Sequence, residues 1–245
     1  MKILLFDIES SPLTLYSWGL FNQNHSIDKI IDSSYVLCWA AKWLGDDKLM
    51  FDSVNQSSHK KMLKGLYKLL DEADAVVHFN GSRFDVPVVN KEFLLQGWAP
   101  PSSYQQIDLL RTARKQFKFP SNKLDYIAQA LKLGGKTKHT GFQLWIDCMQ
   151  GKQEAWDLMK EYNKNDVILL EKVYYKLLPW IKNHPNVGLY NDTISCPHCG
   201  SESLNKRGFY YTGTMKYQRH QCKSCGTWSR SKTGQGIKEG LSNVA

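Results

Sequence analysis

No apolar run in the 245 residues approaches the ~18 needed to cross a bilayer, so no membrane-spanning helix is expected. The apolar opening, Met1 to Phe6, is cut by Asp7 and cannot form the centre of a signal peptide, which makes a cytosolic location the expectation. Cysteine is sparse at six residues, and in a reducing setting these favour metal binding and burial over disulfides. No internal repeat or low-complexity tract is present. Acidic residues are in deficit, 23 against 32 Lys and Arg, for a formal net charge of +9. Residues 191–245 hold eight of the cations and three of the acids. Four metal-bound thiolates and one Zn2+ would subtract two charges there and still leave the segment basic. Such a surplus suits a phosphate-rich partner, because Lys and Arg that neutralise phosphates release counterions. A soluble protein with a lysine-rich surface is the plain alternative.

At 42% hydrophobic, the chain can bury one substantial core with a small appendage. The run Ile3–Ile8 reads as a strand covered on both faces. Tyr35–Leu44 and Lys48–Val54 read as two more, joined by a turn at Gly45-Asp46-Asp47. Ala75–Phe79 and Gln105–Leu109 complete a set of five. Helical spacing marks His59–Ala73, Pro87–Gln96, Leu124–Leu133, Phe142–Met149 and a long segment from about Gln153 to Ile181. This order predicts a layered α/β domain. The break falls at residues 184–191, where Pro185, Asn186 and Gly188 interrupt the pattern. Residues 233–245 are polar and expected to be disordered.

Three acidic segments carry the chemistry. Asp7 and Glu9 stand two apart near the C-terminal end of the first strand, so both project from one face; such ends are where open α/β sheets place ligands. Asp85 follows the strand Ala75–Phe79 at the start of the next helix, where an acid also complements the helix dipole. Asp166 breaks an otherwise core-like stripe of Met159, Tyr162, Leu169, Val173 and Leu177, and a carboxylate facing inward is unfavourable unless paired or metal-bound. Tyr162 lies one turn before it. A nearby lysine or backbone donor is the alternative partner. Asp108 reads as the N-cap of a following helix, and His78 as a satisfied core histidine. The glycine-rich loop Gly134–His139 reads as a solvated connection in which Lys136 is a candidate contact to substrate.

D-x-E on a strand, then N-G-S-R-F-D-V-P at a strand-to-helix junction, then Y-N-K-N-D on a helix, resemble the DEDD exonucleases of RNase H-like fold in their tyrosine variant. The likeness is to the proofreading domains of family B DNA polymerases and to small stand-alone nucleases of phages and bacteria. It covers about residues 1–183 and implies a mixed five-stranded sheet flanked by helices. It also implies 3′–5′ hydrolysis of DNA with two Mg2+ or Mn2+ ions, in a bacterial or phage-infected host cytosol. By this resemblance Asp7, Glu9 and Asp166 hold the metals, Asp85 reaches the second ion and Tyr162 orients the attacking water. Asn80 contacts the terminal nucleotide. Replication or recombination proteins are the implied partners, with RNA open as a substrate. Crowded carboxylates by themselves favour hard divalent cations, because without one they repel and take up protons.

Near the C-terminus, Cys196-Pro197-His198-Cys199-Gly200 and Cys222-Lys223-Ser224-Cys225-Gly226 form two C-x2-C pairs, a tetrahedral thiolate set suited to structural Zn2+, with rubredoxin-type iron the alternative. The expected form is a three-stranded zinc ribbon over residues 192–232, similar to those of transposases. Arg207, Tyr211, Lys216, Arg219, Trp228 and Arg230 are its candidate nucleic-acid contacts, since bases stack on aromatics and cations hold phosphates. Cys38 and Cys148 are expected to be packed thiols. Two other readings stand beside the exonuclease: a structure-specific endonuclease on the same scaffold, and a nucleic-acid-binding adaptor with a vestigial site. No feature of the sequence reports the oligomeric state.

Overall fold

The computed structural model describes residues 1–236. The chain divides into two compact units, one spanning Lys2–Val173 and the other beginning at Tyr174. The first contains a five-stranded mixed sheet. Its strands are β1 (Ile3–Ser10), β4 (Val36–Trp43), β5 (Leu49–Ser53), β6 (Ala75–His78) and β7 (Gln105–Asp108), in the order β5-β4-β1-β6-β7. β1 is antiparallel to β4 and parallel to β6. Two short strands, β2 (Thr14–Leu15) and β3 (Ile30–Asp32), pair in a separate antiparallel ladder.

The pleat of β1 decides what each side of the sheet sees. Leu4, Phe6 and Ile8 enter one apolar cluster with Met62, Leu66 and Leu70 of α1 (His59–Glu72) and Val89 and Phe93 of α2 (Asp85–Leu95). Asp7 and Glu9 alternate with these and face the other side. Their cross-strand partners are Ala40 and Cys38. Cys38 packs with Leu144 and Cys148 of α5 (Gln143–Met149) and with Trp156, Met159 and Tyr162 of α6 (Gln153–Leu177). Two-sided burial is why β1 shows as a nearly unbroken apolar run.

Between these lie α3 (Leu109–Gln116) and α4 (Leu124–Ala130). As expected, Asp108 caps α3, its carboxylate accepting from Leu110 N and Arg111 N. His78 is fully buried with both ring nitrogens occupied: Nδ1 accepts from Gly81 N at 3.0 Å and Nε2 meets Gln106 Oε1 at 3.3 Å. The long helix ends at Leu177 and passes into a 3₁₀ turn, Leu178–Trp180, started by Pro179. All members of the expected α6 stripe, Asp166 included, are buried.

The second unit is built on a four-stranded antiparallel sheet, one strand more than expected. β8 (Leu204–Tyr211) and β10 (Trp228–Arg230) flank β9 (Met215–Cys222), and β11 (Gln235–Gly236) pairs with the other end of β9. β11 lies inside the segment expected to be disordered; the rest of that segment, 237–245, lies outside the described residues. Residues 184–191 form a 3₁₀ turn at Val187–Tyr190, and Val187 N donates to Pro197 O at 2.8 Å. No helix among the described residues is long and apolar enough to cross a membrane.

Candidate active site

Three chain segments deliver carboxylates to one place. Asp7 and Glu9 come from the end of β1, and Asp166 from the middle of α6. One ligand oxygen from each lies within 4.8 Å of the others. Two full negative charges at that separation repel by ~3.5 kcal/mol at an effective dielectric of ~20. Asp85 sits in the first turn of α2, 4% exposed, its Oδ1 accepting from Ile8 N at 3.2 Å. It lies beside the triad and is the largest charged contributor to raising the Asp7 pKa.

Electrostatics follow from this crowding. Burial, then Asp85, Asp166 and Glu9, push the Asp7 carboxyl well above its usual range. Burial and Asp166 lift Glu9 to about 8, opposed by Lys136 and a hydrogen bond from Trp145. Burial raises Asp85 to about 6 against its backbone donors. Asp166 is also raised by burial, in spite of the Lys136 ammonium. A cluster of carboxylates this crowded can hold a divalent cation in place of its protons.

The structure corrects the solvated reading of the 134–139 loop. Asp125 Oδ1 accepts from Lys136 N at 2.8 Å, and Asn165 Nδ2 donates to Gly135 O at 3.1 Å. Held from both sides, the loop turns the Lys136 ammonium inward, where it pairs with Asp166 Oδ2 and donates to Tyr162 OH at 3.0 Å. Burial works against the charged ammonium, but Asp166 and Tyr162 more than offset it and hold Lys136 above the usual lysine range. The lysine alternative weighed for Asp166 is thus realised, although only for one of its oxygens. The other, Oδ1, is buried and has no hydrogen-bond partner among the described residues.

That orphaned oxygen, an all-oxygen donor set and the raised carboxyl groups together fit a hard divalent cation. Tyr162 is 7% exposed and walled by the rings of His139 at 4.9 Å and Trp145 at 6.0 Å. Burial and Asp166 raise its phenol above the ordinary value, so it stays protonated at neutral pH. A cleft of about 400 Å³ opens beside Asp7, lined among others by Phe79, Asn80, Asn122, Leu124 and Lys136. Asn80 adopts φ 71° at the turn after β6 and is tied through its N–H to Asp108 Oδ1 at 3.0 Å.

Trp145 and Asn163 belong to the site without being singled out by any of the three acidic motifs. Asn163, fully buried, donates from Nδ2 to Asp7 Oδ2 at 2.8 Å and fixes that carboxylate. Its signal was available: Asn163, Val167, Leu170 and Tyr174 form a second buried stripe at helical spacing beside the first.

In the second unit the four expected cysteines converge, their sulfurs within 4.8 Å of one another. The Cys196–Cys225 and Cys199–Cys222 sulfur pairs are each 3.6 Å apart, close to the ~3.8 Å edge of a tetrahedron with metal–sulfur bonds of ~2.3 Å. The two C-x2-C-G turns are built alike. Cys196 N donates to Ser201 O and Cys222 N to Thr227 O, while Gly200 N and Gly226 N return to the first cysteine's carbonyl. Both glycines have φ above +70°, which a Cβ would strain. Burial would raise the Cys222 thiol, but backbone donors from Cys225 and Ser224 bring it to about 7. The set is compatible with zinc. Of the expected contacts, Arg207, Arg219, Trp228 and Arg230 share one face of this sheet, and Tyr211 and Lys216 lie on the opposite one. Cys38 and Cys148 are buried free thiols, as expected.

Comparison with known proteins agrees with the architecture. No curated protein matches the sequence. The family B DNA polymerase from the hyperthermophilic archaeon Pyrobaculum calidifontis is similar in fold, with a TM-score of 0.54 and 17% identity. The similarity takes in 73% of this chain and 24% of the polymerase. A family profile described as RNase_H superfamily matches residues 35–178, well over half of the chain and inclusive of Asp85, Tyr162 and Asp166. The chain belongs to the RNase_H superfamily.

Proposed function

We propose that the protein is a metal-dependent nuclease that removes nucleotides from the 3′ end of single-stranded or frayed DNA. The observation that carries this reading is the convergence of the half-buried Asp7 and Glu9 with the buried Asp166, whose Oδ1 has no hydrogen-bond partner among the described residues. In this proposal the triad binds two Mg2+ or Mn2+ ions, with Asp85 reaching the second. Divalent ions bound there would polarise the scissile phosphate and lower the pKa of a water. The chain's own groups have distinct tasks. Tyr162, protonated and held by Lys136, donates a hydrogen bond that orients the attacking water. A phenol with a raised pKa is a poor base, so orientation is its role. Lys136 exchanges part of its contact with Asp166 for a phosphate oxygen. Asn80 and the cleft beside Asp7 take the terminal nucleotide; ~400 Å³ is within the usual range for a small-ligand pocket.

These assignments make the protein a tyrosine-variant DEDD exonuclease over residues 1–183, with residues 184–191 as a linker and 192–232 as a zinc-bound ribbon. The similarity to a polymerase of family B supports the fold on which this reading rests.

Labelled oligonucleotides test it. With Mn2+, a 5′-labelled single strand should shorten as a ladder and release nucleoside 5′-monophosphates, while circular single-stranded DNA stays intact. Asp7→Asn should abolish the ladder. Cutting of the circle would favour the structure-specific endonuclease. Binding without any hydrolysis would favour the adaptor. A parallel RNA oligonucleotide decides between the two sugars.

A further inference from the structure

β8, β9 and β10 present one face that gathers arginines and aromatic rings. Cross-strand register puts Tyr210 opposite Tyr217, Trp228 opposite Gln221 and Arg230 opposite Arg219. In a regular strand Arg207 and Tyr210, three apart, would point to opposite sides. The ladder slips between Lys206 and Phe209, and Gly208 takes φ 65° there. This extra residue brings Arg207 round to the side of Tyr210, as a bulge does. Three guanidiniums and three aromatic rings therefore share one face.

They also interleave. Arg219 lies 4.7 Å from the Trp228 ring centroid and Arg207 5.9 Å from it. Arg230 lies 3.9 Å from the Tyr217 centroid and 5.1 Å from that of Tyr210. Arg219 Nε donates to Arg207 O at 3.0 Å, and Arg207 Nη1 donates to Gln221 Oε1 at 2.9 Å. Among the described residues the guanidiniums are thus positioned by rings and neutral oxygens and by no carboxylate. Residues 203–236 contain seven Lys and Arg and no Asp or Glu, so nothing in this stretch neutralises them. Trp228 and Tyr210 are about half exposed.

We infer that this face binds single-stranded nucleic acid. The uncompensated arginines call for a polyanion, and planar guanidiniums match phosphate oxygens in pairs. The exposed rings add what a polyanion alone does not need, flat apolar surfaces at the spacing of cations. An unpaired base can stack on them, whereas a duplex keeps its base faces stacked on one another and presents phosphates and groove edges. The opposite face carries Lys206 and Lys216, with one lysine–ring contact among the described residues, Lys216 to Phe209 at 5.0 Å. It has the charge without the planar, interleaved arrangement. Binding needs no hydrolysis, so this inference stands apart from the assignment of the carboxylate site.

Fluorescence anisotropy with the full-length protein, without added Mg2+ or Mn2+, tests it. The probes are a labelled oligothymidylate of ~15 nucleotides, spanning the site sizes usual for single-strand binders, and a duplex of equal length. Arg219→Ala/Arg230→Ala should weaken single-strand binding by about tenfold or more and flatten the salt dependence by about 1.4, at ~0.7 per phosphate lost. Trp228→Ala should weaken it by about tenfold with the salt slope unchanged. Lys206→Ala/Lys216→Ala should change affinity less than about threefold, and duplex binding should respond little to Trp228→Ala. Should the alanine pair lose its bound zinc, Arg219→Lys/Arg230→Lys decides: it should keep the salt slope and lose affinity several-fold. Equal losses from the two faces, or a Trp228→Ala protein that binds like wild type, would overturn the inference.

Discussion

Asn163 and Asp7, 156 positions apart in sequence, are joined by a hydrogen bond of 2.8 Å from Nδ2 to Oδ2. Nδ2 also approaches the Asp7 carbonyl at 3.4 Å. Asn163 therefore holds a carboxylate that Asp85, Asp166 and Glu9 all repel. Asn163→Leu, which keeps the volume and removes the donor, should weaken Mn2+ binding by ~10-fold or more, as loss of an outer partner to a ligand does. Isothermal titration would show this, and Asn163→Gln should not restore the affinity, since its amide lies one methylene further on.

The carboxyl pKa values set a pH dependence with a definite sign. Glu9 is near 8 in the folded protein, against an ordinary value of 4.5. Between those values the folded state holds a proton that the unfolded chain has released, so stability falls as pH rises. Asp85, lifted to about 6, adds to the same trend over a lower window. In the metal-free protein, Glu9→Gln should raise the melting temperature, and its advantage over wild type should grow between pH 5 and pH 8. A gain of ~5 °C at the upper end is expected, at ~2–4 °C per kcal/mol for this size. Saturating Mn2+ should reverse the order. Thermal scans at fixed pH would reveal an advantage that shrinks instead.

Lys136 gives two effects of opposite direction. Its ammonium neutralises Asp166 and competes for the same carboxylate as a cation. Lys136→Met should destabilise the metal-free protein by ~2 kcal/mol, less than the ~3–5 of a fully buried pair because the lysine side chain is 30% exposed. The same variant should bind Mn2+ several-fold more tightly while turning over more slowly. Denaturant melts and metal titrations separate the two.

Gly81 is required by packing. A Cβ there would lie 2.4 Å from His78 Cγ, and His78 is pinned by hydrogen bonds at both ring nitrogens. Gly81→Ala should cost about 3 kcal/mol, the upper end of the ~1–3 usual for overpacking. The turn it distorts delivers Asp85, so activity should fall with stability. A variant with wild-type denaturation would refute the steric argument.

The cysteine cluster predicts one zinc per chain. Cys222→Ser should release it and raise amide exchange across 196–230, while β1 and α6 keep their protection, because the Lys2–Val173 unit has its own core. Uniform loss of protection in both units would contradict that independence.

How far the sequence could be read follows from these same residues. Asp166 declared itself because an acid on an apolar helical stripe is anomalous, and Asp7 with Glu9 because alternate strand positions share a face. Asp108 announced a cap. Lys136 did not, because a glycine-rich loop has no period and its inward turn depends on Asp125 and Asn165, both distant or off the stripe. Asn163 was hidden by its polarity, although its spacing matched a buried face. The β2–β3 ladder is too short and irregular to leave an alternating pattern. In the second unit the C-x2-C pairs were legible, but the sorting of arginines and rings onto one face depended on the bulge at Gly208, which only the register reveals.

Manganese binding to the carboxylate cluster is the most direct measurement. Titrated into zinc-loaded protein and followed by electron paramagnetic resonance, Mn2+ should be taken up by wild type, and Asp166→Asn should lose that uptake while retaining its zinc. Wild-type protein that binds no manganese, or an Asp166→Asn protein that binds it equally well, would contradict a metal site at Asp7, Glu9 and Asp166.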